Sequence, residues 1–368
     1  MASRRRQGVL IAGGGVAGSF AALALARLRP EVPVLLVGED GHFGGDRTLF
    51  LIDEALGSEE QQLAGPLTAI AWAGHYAAFP GRSRKLGLPC RALTPESIDQ
   101  AVRETLGPDR YRLHEKIVAV RDTSLLLHGG KTIAAEGAID ARDTAHLATL
   151  ELGWRKSVAR DLQFEAAHRV DQPVAVDATL AKGSDCRFFS LLPFGETRLR
   201  IEEVHYSAKP ELDAVKAGER IEAYAARRGW KDGVVESESS EVAPIALGGD
   251  FQAYWRLGGA RVAKLGTRGG FFHPTTGCQG SDAFATALLL AGQRDFSGAA
   301  LHDLFETTAI AAWKGRETYR SFNRALIGGS GCGALAGLYE LGSALIGRFF
   351  AERLGMLDRR KVLAAAAR

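Results

Sequence analysis

The sequence predicts an α/β protein that combines a Rossmann-type domain, an antiparallel-sheet domain and a helical C-terminal region. Two short apolar runs, 9–12 and 34–37, flank a glycine-rich turn and a helical segment, which is the pattern of a βαβ unit. Residues 173–206 contain three stretches of alternating apolar residues, which indicates antiparallel strands in a second domain. From about residue 282 onward the apolar spacing is helical almost throughout.

Length, charge and cysteine spacing limit the possible classes of protein. The chain has 368 residues, 46% of them apolar, which is enough for about two domains. The net charge of +3 is too small to indicate a nucleic-acid-binding protein. The four cysteines lie far apart in sequence, so we expect no metal site and reduced thiols in a cytosolic protein. No stretch of about 18 uncharged apolar residues predicts a membrane-spanning helix.

Residues typical of helix ends and turns predict the elements that follow the first βαβ unit. Thr94 and Pro95 are typical of a helix start and Gly107 of a helix end, which predicts a helix over 95–106. Gly129 and Gly130 are typical of a hairpin turn. The other expected elements are strands at 110–120, 124–128, 173–179, 187–194, 197–206 and 242–247, and helices at 213–228 and about 281–292.

The glycines after the first strand match the dinucleotide-binding pattern G-x-G-x-x-G, between a strand and a helix as that pattern requires. Gly13 would allow the tight turn, Gly15 would let a pyrophosphate approach the backbone, and Gly18 would let helix and strand pack closely. The phosphates would then lie at the positive N-terminus of the helix. A glycine-rich turn without a ligand is the alternative interpretation.

Residues after the second strand are expected to complete this nucleotide site. An acid normally follows that strand and binds the ribose, but here Gly38 comes first and Glu39 one residue later. This unit alone therefore leaves the choice between FAD and NAD open. Gly44 and Gly45 would form a second loop that a nucleotide can approach closely.

A second glycine-rich segment, 265–277, precedes the helix expected from about residue 281. Gly266, Thr275, Thr276 and Gly277 would supply backbone N–H groups and hydroxyls at a helix N-terminus, an environment that suits the N1/O2 edge of a flavin. The alternative is a buried loop that satisfies its own hydrogen bonds.

Glu202 and Glu203 form the candidate catalytic pair. Successive strand residues face opposite sides of a sheet, so only one of the two can point into a cavity. Apolar walls would raise the pKa of that carboxyl and keep it protonated, ready to donate. An exposed acidic pair at a sheet edge is the alternative. The expected wall residues are Phe188, Phe189, Leu192 and Phe194.

Five segments, in this order and spacing, together resemble the bacterial lycopene β-cyclases of carotenoid biosynthesis. They are GGGVAG (13–18), FPGR (79–82), RLRIEEVHYS (198–207), APIALGGD (243–250) and FHPTTG (272–277). The resemblance extends from about residue 8 to residue 355. It implies an FAD-dependent enzyme, an intramolecular lyase or isomerase, that closes the linear ends of lycopene into β-ionone rings. The product would be β-carotene, formed by way of γ-carotene, without net change in redox state.

The resemblance also implies how the chemistry is divided. Glu202 would protonate the terminal double bond, with Glu203 at the adjoining acidic position, and the next double bond would capture the cation before a proton is lost. Reduced FAD would stabilise the cation, with NADPH as the reductant. Asp140 belongs to the segment that corresponds to the end of the family's first FAD region. His273 is expected to hold its loop and Asp250 to be a turn residue.

A polyene is nearly insoluble in water, so we expect a cytoplasmic enzyme that contacts the surface of the inner membrane. The apolar residues of 335–354 and the basic residues nearby are compatible with an interfacial helix and equally with a core helix. The sequence does not predict an oligomeric state.

The resemblance implies a division into domains. The FAD domain would comprise 5–70, 93–145 and 258–300, and the substrate domain 71–92 and 146–257. A helical region, 301–368, would cover the cavity.

Two other functions fit the same pattern. One is a redox flavoenzyme, a reductase or monooxygenase acting on an isoprenoid or aromatic substrate. The other is a carotenoid or flavin carrier without activity, which the presence of both Glu202 and Glu203 disfavours.

Overall fold

The computed structural model describes residues 8–143, 147–181, 183–329 and 331–367, so the expected domain limits at residues 5, 145–146 and 368 lie outside the described residues. Its strands are β1 (Val9–Ala12), β2 (Val34–Val37), β3 (Leu49–Ile52), β4 (Ile70–Trp72), β5 (His75–Phe79), β6 (Arg82–Leu86), β7 (Cys90–Leu93), β8 (Tyr111–Arg112), β9 (Ile117–Arg121), β10 (Ser124–Leu127), β11 (Thr132–Ala134), β12 (Gly137–Asp140), β13 (Leu150–Gln163), β14 (Val174–Asp177), β15 (Cys186–Pro193), β16 (Arg198–Ser207), β17 (Val234–Gly249) and β18 (Ala263–Lys264). Its α-helices are α1 (Val16–Leu28), α2 (Ser58–Ala64), α3 (Pro95–Leu106), α4 (Ala214–Arg227), α5 (Phe251–Arg256), α6 (Gly280–Ala291), α7 (Gly298–Gly315), α8 (Glu317–Ile327), α9 (Gly333–Glu340), α10 (Ser343–Phe350) and α11 (Met356–Ala366).

A parallel sheet of five strands contains the opening βαβ unit, in the order β18-β12-β1-β2-β8. Strand β1 pairs in parallel with β2 on one side and with β12 on the other. Helix α1 is buried along most of its length and packs against α6, where Phe20 stacks on Phe284 with ring centroids 4.3 Å apart. The predicted Rossmann-type unit is therefore confirmed.

A second, seven-stranded sheet has the order β17-β13-β16-β15-β14-β5-β6. The long strands β13 and β17 pair antiparallel along their lengths, as do β13 with β16 and β15 with β16. The predicted antiparallel sheet is confirmed, with one difference. Strand β14 pairs in parallel with β5, which comes from a distant part of the chain, so local alternation does not reveal the pairing.

Two of the predicted elements show how local signals succeed and fail. Helix α3 begins where expected, because the Thr94 hydroxyl oxygen accepts the Ser97 N–H and the Ser97 hydroxyl oxygen accepts the Thr94 N–H across the first turn. The strand expected at 110–120 is instead divided: β8 extends the parallel sheet, and β9 begins a three-stranded antiparallel sheet with β10 and β11. His114, with a φ of 57°, lies in the break between them.

Two of the four cysteines form a disulfide bond, so the expectation of four reduced thiols is wrong. Cys186, at the start of β15, is bonded to Cys332, which immediately precedes α9. Their Cα atoms lie 4.3 Å apart although 146 residues separate them in the chain. Such a contact is set by tertiary packing, which sequence spacing does not reveal. Cys90 and Cys278 are free.

The helical C-terminal region packs onto the second sheet. Leu338, Ile346 and Phe349 are buried together with Phe322 of α8. The apolar residues of 335–354 therefore belong largely to the core, and the interfacial-helix interpretation of that segment is not supported. Among the residues that the structure describes, no helix is both long and apolar enough to cross a membrane.

Candidate active site

A groove of about 520 Å³ lies at the carboxyl ends of three parallel strands. Its walls include Gly13–Val16 after β1, Glu39 after β2 and Ala141–Asp143 after β12. In open α/β sheets this edge is where ligands bind. The predicted dinucleotide-binding turn thus opens onto a real concave surface.

The three glycines of the turn differ in the space around their backbone. Gly13 has a φ of 114°, and a Cβ there would lie 2.6 Å from the Ala141 carbonyl oxygen. A Cβ on Gly18 would lie 2.0 Å from the Gly13 carbonyl oxygen, so only glycine lets helix and strand approach this closely. A Cβ on Gly15 would have no atom within 4 Å, so this backbone faces open space. That space at the N-terminus of α1 suits a pyrophosphate.

The other predicted nucleotide-binding residues do not all line this groove. Glu39, Gly44 and Gly45 lie in its walls, and a Glu39 carboxylate oxygen accepts the Ile117 N–H at 3.2 Å. Asp140, also predicted to bind the cofactor, is not among the wall residues of the groove. Its buried carboxylate instead accepts two hydrogen bonds from Arg142, at 2.9 Å each, and Arg142 lines the groove. Asp140 therefore positions a basic side chain.

The second glycine-rich segment is divided between two cavities. Gly277 lines the groove, whereas Thr275 and Thr276 line a separate cavity. Gly266 lies in the walls of neither, and a Cβ there would be 2.7 Å from Gln279 Oε1 and 3.0 Å from the Ala17 Cβ, so this glycine packs closely against its neighbours.

His273 holds this loop, as predicted. Its Nδ1 accepts the N–H groups of Thr275 and Thr276, both at 3.2 Å, and its Nε2 lies 3.3 Å from the Phe349 carbonyl oxygen. Burial lowers the pKa of His273 to about 4, so the ring is neutral at pH 7 and its Nε2–H can donate to Phe349. Asp250 caps α5 by accepting the Ala253 N–H.

The second cavity, of about 140 Å³, has largely apolar walls. One wall is a face of the seven-stranded sheet, and the opposite wall comes from α9 and α10 of the C-terminal region. Apolar wall residues include Ile52, Val176, Phe188, Leu192, Val204, Leu335, Phe349 and Phe350. We call it the apolar cavity.

The Glu202 carboxylate lines both the groove and the apolar cavity. Arg47 and Arg200 also line both. The neighbours of Glu202 across the sheet, Ala159 on β13 and Ser190 on β15, are small and leave room for its side chain. The predicted alternation along β16 accounts for this placement.

Glu203 points to the other face of the sheet, outside both cavities. It is 2% exposed there and is bound by Arg220 of α4 through Nη2, at 2.7 Å, and by Arg187 Nε, at 3.2 Å. This placement argues against a catalytic role for Glu203 at the apolar cavity. Strand alternation puts the second member of the pair on the opposite face.

The charge state of Glu202 differs from the expectation. Burial raises the pKa of this carboxyl, but Arg155 and then Arg47 more than offset the effect and lower it to about 2. Arg155 Nη2 donates to Glu202 Oε1 at 2.9 Å. Of the expected apolar neighbours, Phe188 and Leu192 do line the apolar cavity, whereas Phe189 and Phe194 do not. Glu202 is therefore an ion-paired carboxylate.

Sequence reasoning missed the arginines that surround Glu202. Arg155 lies on β13 and Arg47 follows the Gly44-Gly45 loop, and both bind Glu241 of β17. Alternation along β13 and β17 would have placed Arg155 and Glu241 on one face of the sheet, but only with the strand pairing known. No local sequence motif identifies Arg47 or Arg155 as a neighbour of Glu202.

Comparison with known proteins shows the family to which the chain belongs. The family model described as lycopene cyclase protein matches residues 8–366. The chain belongs to the lycopene cyclase family. The resemblance seen in the sequence is thereby confirmed, and so is the prediction of an enzyme of the cyclase class.

Curated relatives of this cyclase-family chain are lycopene beta-cyclases. The chain is 29% identical over 359 residues to a lycopene beta-cyclase of Pantoea ananas. That alignment covers 96% of this chain and 93% of the relative. It is 30% identical over 363 residues to a lycopene beta-cyclase of a Paracoccus species, covering 96% and 92%.

Solved structures show the same fold at low sequence identity. One is a geranylgeranyl bacteriochlorophyll reductase-like protein from Thermoplasma acidophilum, 12% identical, with a TM-score of 0.60 over 98% of this chain and 96% of that one. Another is a mutant of the halogenase PltM in complex with FAD, 16% identical, with a TM-score of 0.60 over 98% and 86%. The predicted fold of a flavoprotein type is confirmed.

Proposed function

We propose that this protein is an FAD-dependent lycopene β-cyclase that converts lycopene through γ-carotene to β-carotene without net redox change. The observation that carries the proposal is the position of Glu202, a carboxyl group between a glycine-lined groove and an apolar cavity. A cyclase needs an acid within reach of an apolar substrate and of a group that stabilises positive charge.

FAD in its reduced form is the proposed cofactor, with NADPH as the reductant. Gly13 and Gly15 would admit the pyrophosphate, Glu39 would bind the ribose, and Gly44, Gly45 and Gly277 would allow the nucleotide to approach the backbone. The open space at Gly15 and the position of these residues around one groove support the proposal. The reduced flavin would supply negative charge near the cation that forms during cyclisation.

Glu202 is the proposed proton donor to the terminal double bond of the polyene. Its carboxyl would have to gain a proton before each reaction, because its pKa of about 2 keeps it ionised at neutral pH. The aromatic rings of Phe188, Phe349 and Phe350 in the cavity walls suit a carbocation, since ring faces attract positive charge. Apolar walls also exclude water, which would otherwise capture the cation.

The size of the apolar cavity suits one end of a long polyene. About 140 Å³ holds only part of such a chain, so the two ends would be cyclised in successive binding events. The rest of the substrate would extend outside this cavity during each event.

Contact with a membrane surface is part of the proposal, as is a cytoplasmic location next to the inner membrane. Met356 and Leu357 at the start of α11 are 75% and 69% exposed. Arg353, Arg359 and Arg360 are exposed beside them. Exposed apolar residues with basic neighbours suit a surface of anionic lipid. Flotation with anionic vesicles, comparing the chain with its Met356→Ser/Leu357→Ser variant, tests this contact, and equal flotation of the two would contradict it.

The proposed division into domains assigns 5–70, 93–145 and 258–300 to FAD and 71–92 and 146–257 to the substrate. It is supported by the origin of the strands: the parallel sheet comes from the first set of ranges and the seven-stranded sheet from the second. The helical region 301–368 supplies part of the wall of the apolar cavity.

Incubation of the purified protein with lycopene, FAD and NADPH tests the function. A cyclic product with the mass of lycopene supports the cyclase. A product that differs from lycopene by hydrogen or oxygen would instead indicate a redox flavoenzyme. Lycopene that stays bound and unchanged would indicate a carrier.

A further inference from the structure

The guanidinium of Arg155 is divided between two carboxylates. Nη2 donates to Glu202 Oε1 at 2.9 Å, and Nη1 lies 3.2 Å from Glu241 Oε2. Nη1 also lies 3.3 Å from Ser157 Oγ. An arginine can bind one carboxylate through two parallel N–H···O bonds, which is its strongest pairing. Arg155 does not do so here, because Glu241 engages its second arm.

Glu241 is itself held from the other side. Arg47 Nη1 donates to Glu241 Oε1 at 2.9 Å, so the four side chains alternate in charge from Arg47 through Glu241 and Arg155 to Glu202. The Arg155 side chain is only 8% exposed, whereas those of Glu241 and Glu202 are 31% and 21% exposed. The pairing geometry is therefore fixed by a buried arginine on β13, an interior strand of the sheet.

We propose that Arg155 and Glu241 are positioning residues for the proton donor, with Glu241 preventing the guanidinium of Arg155 from binding Glu202 with both arms. This inference rests on the proposed role of Glu202. Glu241 thereby limits how strongly Arg155 holds Glu202 in the ionised form, which cannot donate a proton. Without Glu241, Nη1 of Arg155 keeps only the neutral Ser157 hydroxyl as an acceptor, so Arg155 can close on the charged Glu202, and the protonated fraction of Glu202 falls.

Other groups near Glu202 act alongside this pair. Arg200 and Tyr206 are on its own strand, Arg47 lies on the loop before β3, His273 on the loop before α6, and Tyr339 on α9. His273 is neutral at pH 7, because burial lowers its pKa to about 4. Burial raises the pKa of Tyr206, so it too is uncharged at pH 7. The charged groups that oppose protonation of Glu202 are therefore the arginines. Two of them, Arg47 and Arg155, also bind the Glu241 carboxylate.

The first test reads the protonation of Glu202 directly and needs no substrate. Infrared spectra of the full-length protein between pH 4 and pH 8 are compared with those of Glu202→Gln, which removes the carboxyl band of that residue. In the parent protein we expect no protonated Glu202 band in this range. In Arg155→Met we expect the band to appear as the pH falls toward 4, because the largest of the charges that oppose burial is then gone and only Arg47 and Arg200 remain. Arg155→Lys keeps the charge and controls for misfolding. A Glu202 that stays ionised at pH 4 in Arg155→Met would overturn the role of Arg155.

The second test separates the effect of Glu241 on Arg155 from the general effect of removing one negative charge from β17. Glu241→Gln should lower kcat by up to about tenfold, since one unit of pKa changes the protonated fraction tenfold. The KM for the polyene should not change, because Glu241 lines the groove and not the apolar cavity, and the assay uses saturating FAD so that flavin binding does not limit the rate. Glu238→Gln is the matched control: it removes the same charge from β17, where Glu238 pairs with Arg160. Glu241→Asp should recover part of the rate and shift the pH profile back.

Equal kcat in the Glu241→Gln and Glu238→Gln variants would overturn the role of Glu241. Cyclisation by Glu202→Gln would overturn the proposed function instead, while the infrared result on Arg155 would still stand. The two failures are therefore distinguishable.

Discussion

Glu202 and Glu203 are adjacent in the chain but lie on opposite faces of the seven-stranded sheet. Glu202 reaches the boundary between the groove and the apolar cavity, and Glu203 is bound by Arg220 and Arg187 on the other face. The pair therefore divides into one carboxyl that a substrate can approach and one that ties α4 to the sheet.

Substitution of each glutamate should separate these roles. Glu202→Gln is expected to lower cyclisation by about 10²–10⁴-fold because it removes the acid, while flavin binding, measured by fluorescence titration, stays within about twofold. Glu203→Gln should retain cyclisation but unfold more easily, by about 1–3 kcal/mol, because two arginines lose a charged partner. Thermal denaturation measures the second effect. Loss of activity in a folded Glu203→Gln variant, with activity kept in Glu202→Gln, would reverse the assignment.

Two glycines of the nucleotide-binding turn should respond differently to a larger side chain. Gly15→Val is expected to weaken flavin binding with little change in melting temperature, because the side chain would occupy open space in the groove. Gly18→Val should lower the melting temperature, since even a Cβ would collide with the Gly13 carbonyl oxygen 2.0 Å away. Flavin titration and thermal melts of both variants measure the contrast. Similar effects on both properties at the two sites would argue against separate roles.

Acid should destabilise the protein through two buried histidines. Burial lowers the pKa of His75 and that of His273 to about 4. An unfolded histidine titrates near 6.5, so between about pH 6.5 and pH 4 the unfolded chain binds more protons. Stability from each neutral ring is thus complete above pH 6.5 and is lost as the pH falls toward 4, by about 3 kcal/mol per histidine.

Urea denaturation at several pH values measures this dependence. His75 packs its ring edge-on against Phe50, so His75→Phe should remove a titrating group while keeping an aromatic ring in the core. The variant is expected to lose less stability than the parent between pH 6.5 and pH 4. If the free energy of unfolding of the variant fell with pH as steeply as that of the parent, His75 would not contribute to this pH dependence.

The disulfide between Cys186 and Cys332 should stabilise the walls of the apolar cavity. Phe188 lies two residues after one cysteine and Leu335 three residues after the other, and both line that cavity. Reduction, or Cys186→Ser with Cys332→Ser, is expected to lower the free energy of unfolding by about 2–4 kcal/mol and to raise KM for the polyene. Thiol counting under denaturing conditions should find two free thiols without reductant. Four free thiols would contradict the bond.

Much of the fold could be predicted because its signals are local. The apolar run 9–12, the glycines after it and the helical spacing beyond specify a βαβ unit within about 30 residues. Thr94 and Pro95 mark a helix start through hydrogen bonds within one turn. The division of the strand expected at 110–120 was not predictable, because β8 exists only by pairing with β2.

The sequence by itself determined the glycine-rich turn between β1 and α1, the alternating strand that separates Glu202 from Glu203, and the family of the chain. Only the tertiary structure decided the electrostatic state of Glu202. Arg47, Arg155 and Glu241 come from three distant segments, and their charges act over a few ångströms of space regardless of chain separation. Apolar neighbours in the sequence predicted a neutral acid, and the buried arginine on the adjacent strand makes it a carboxylate.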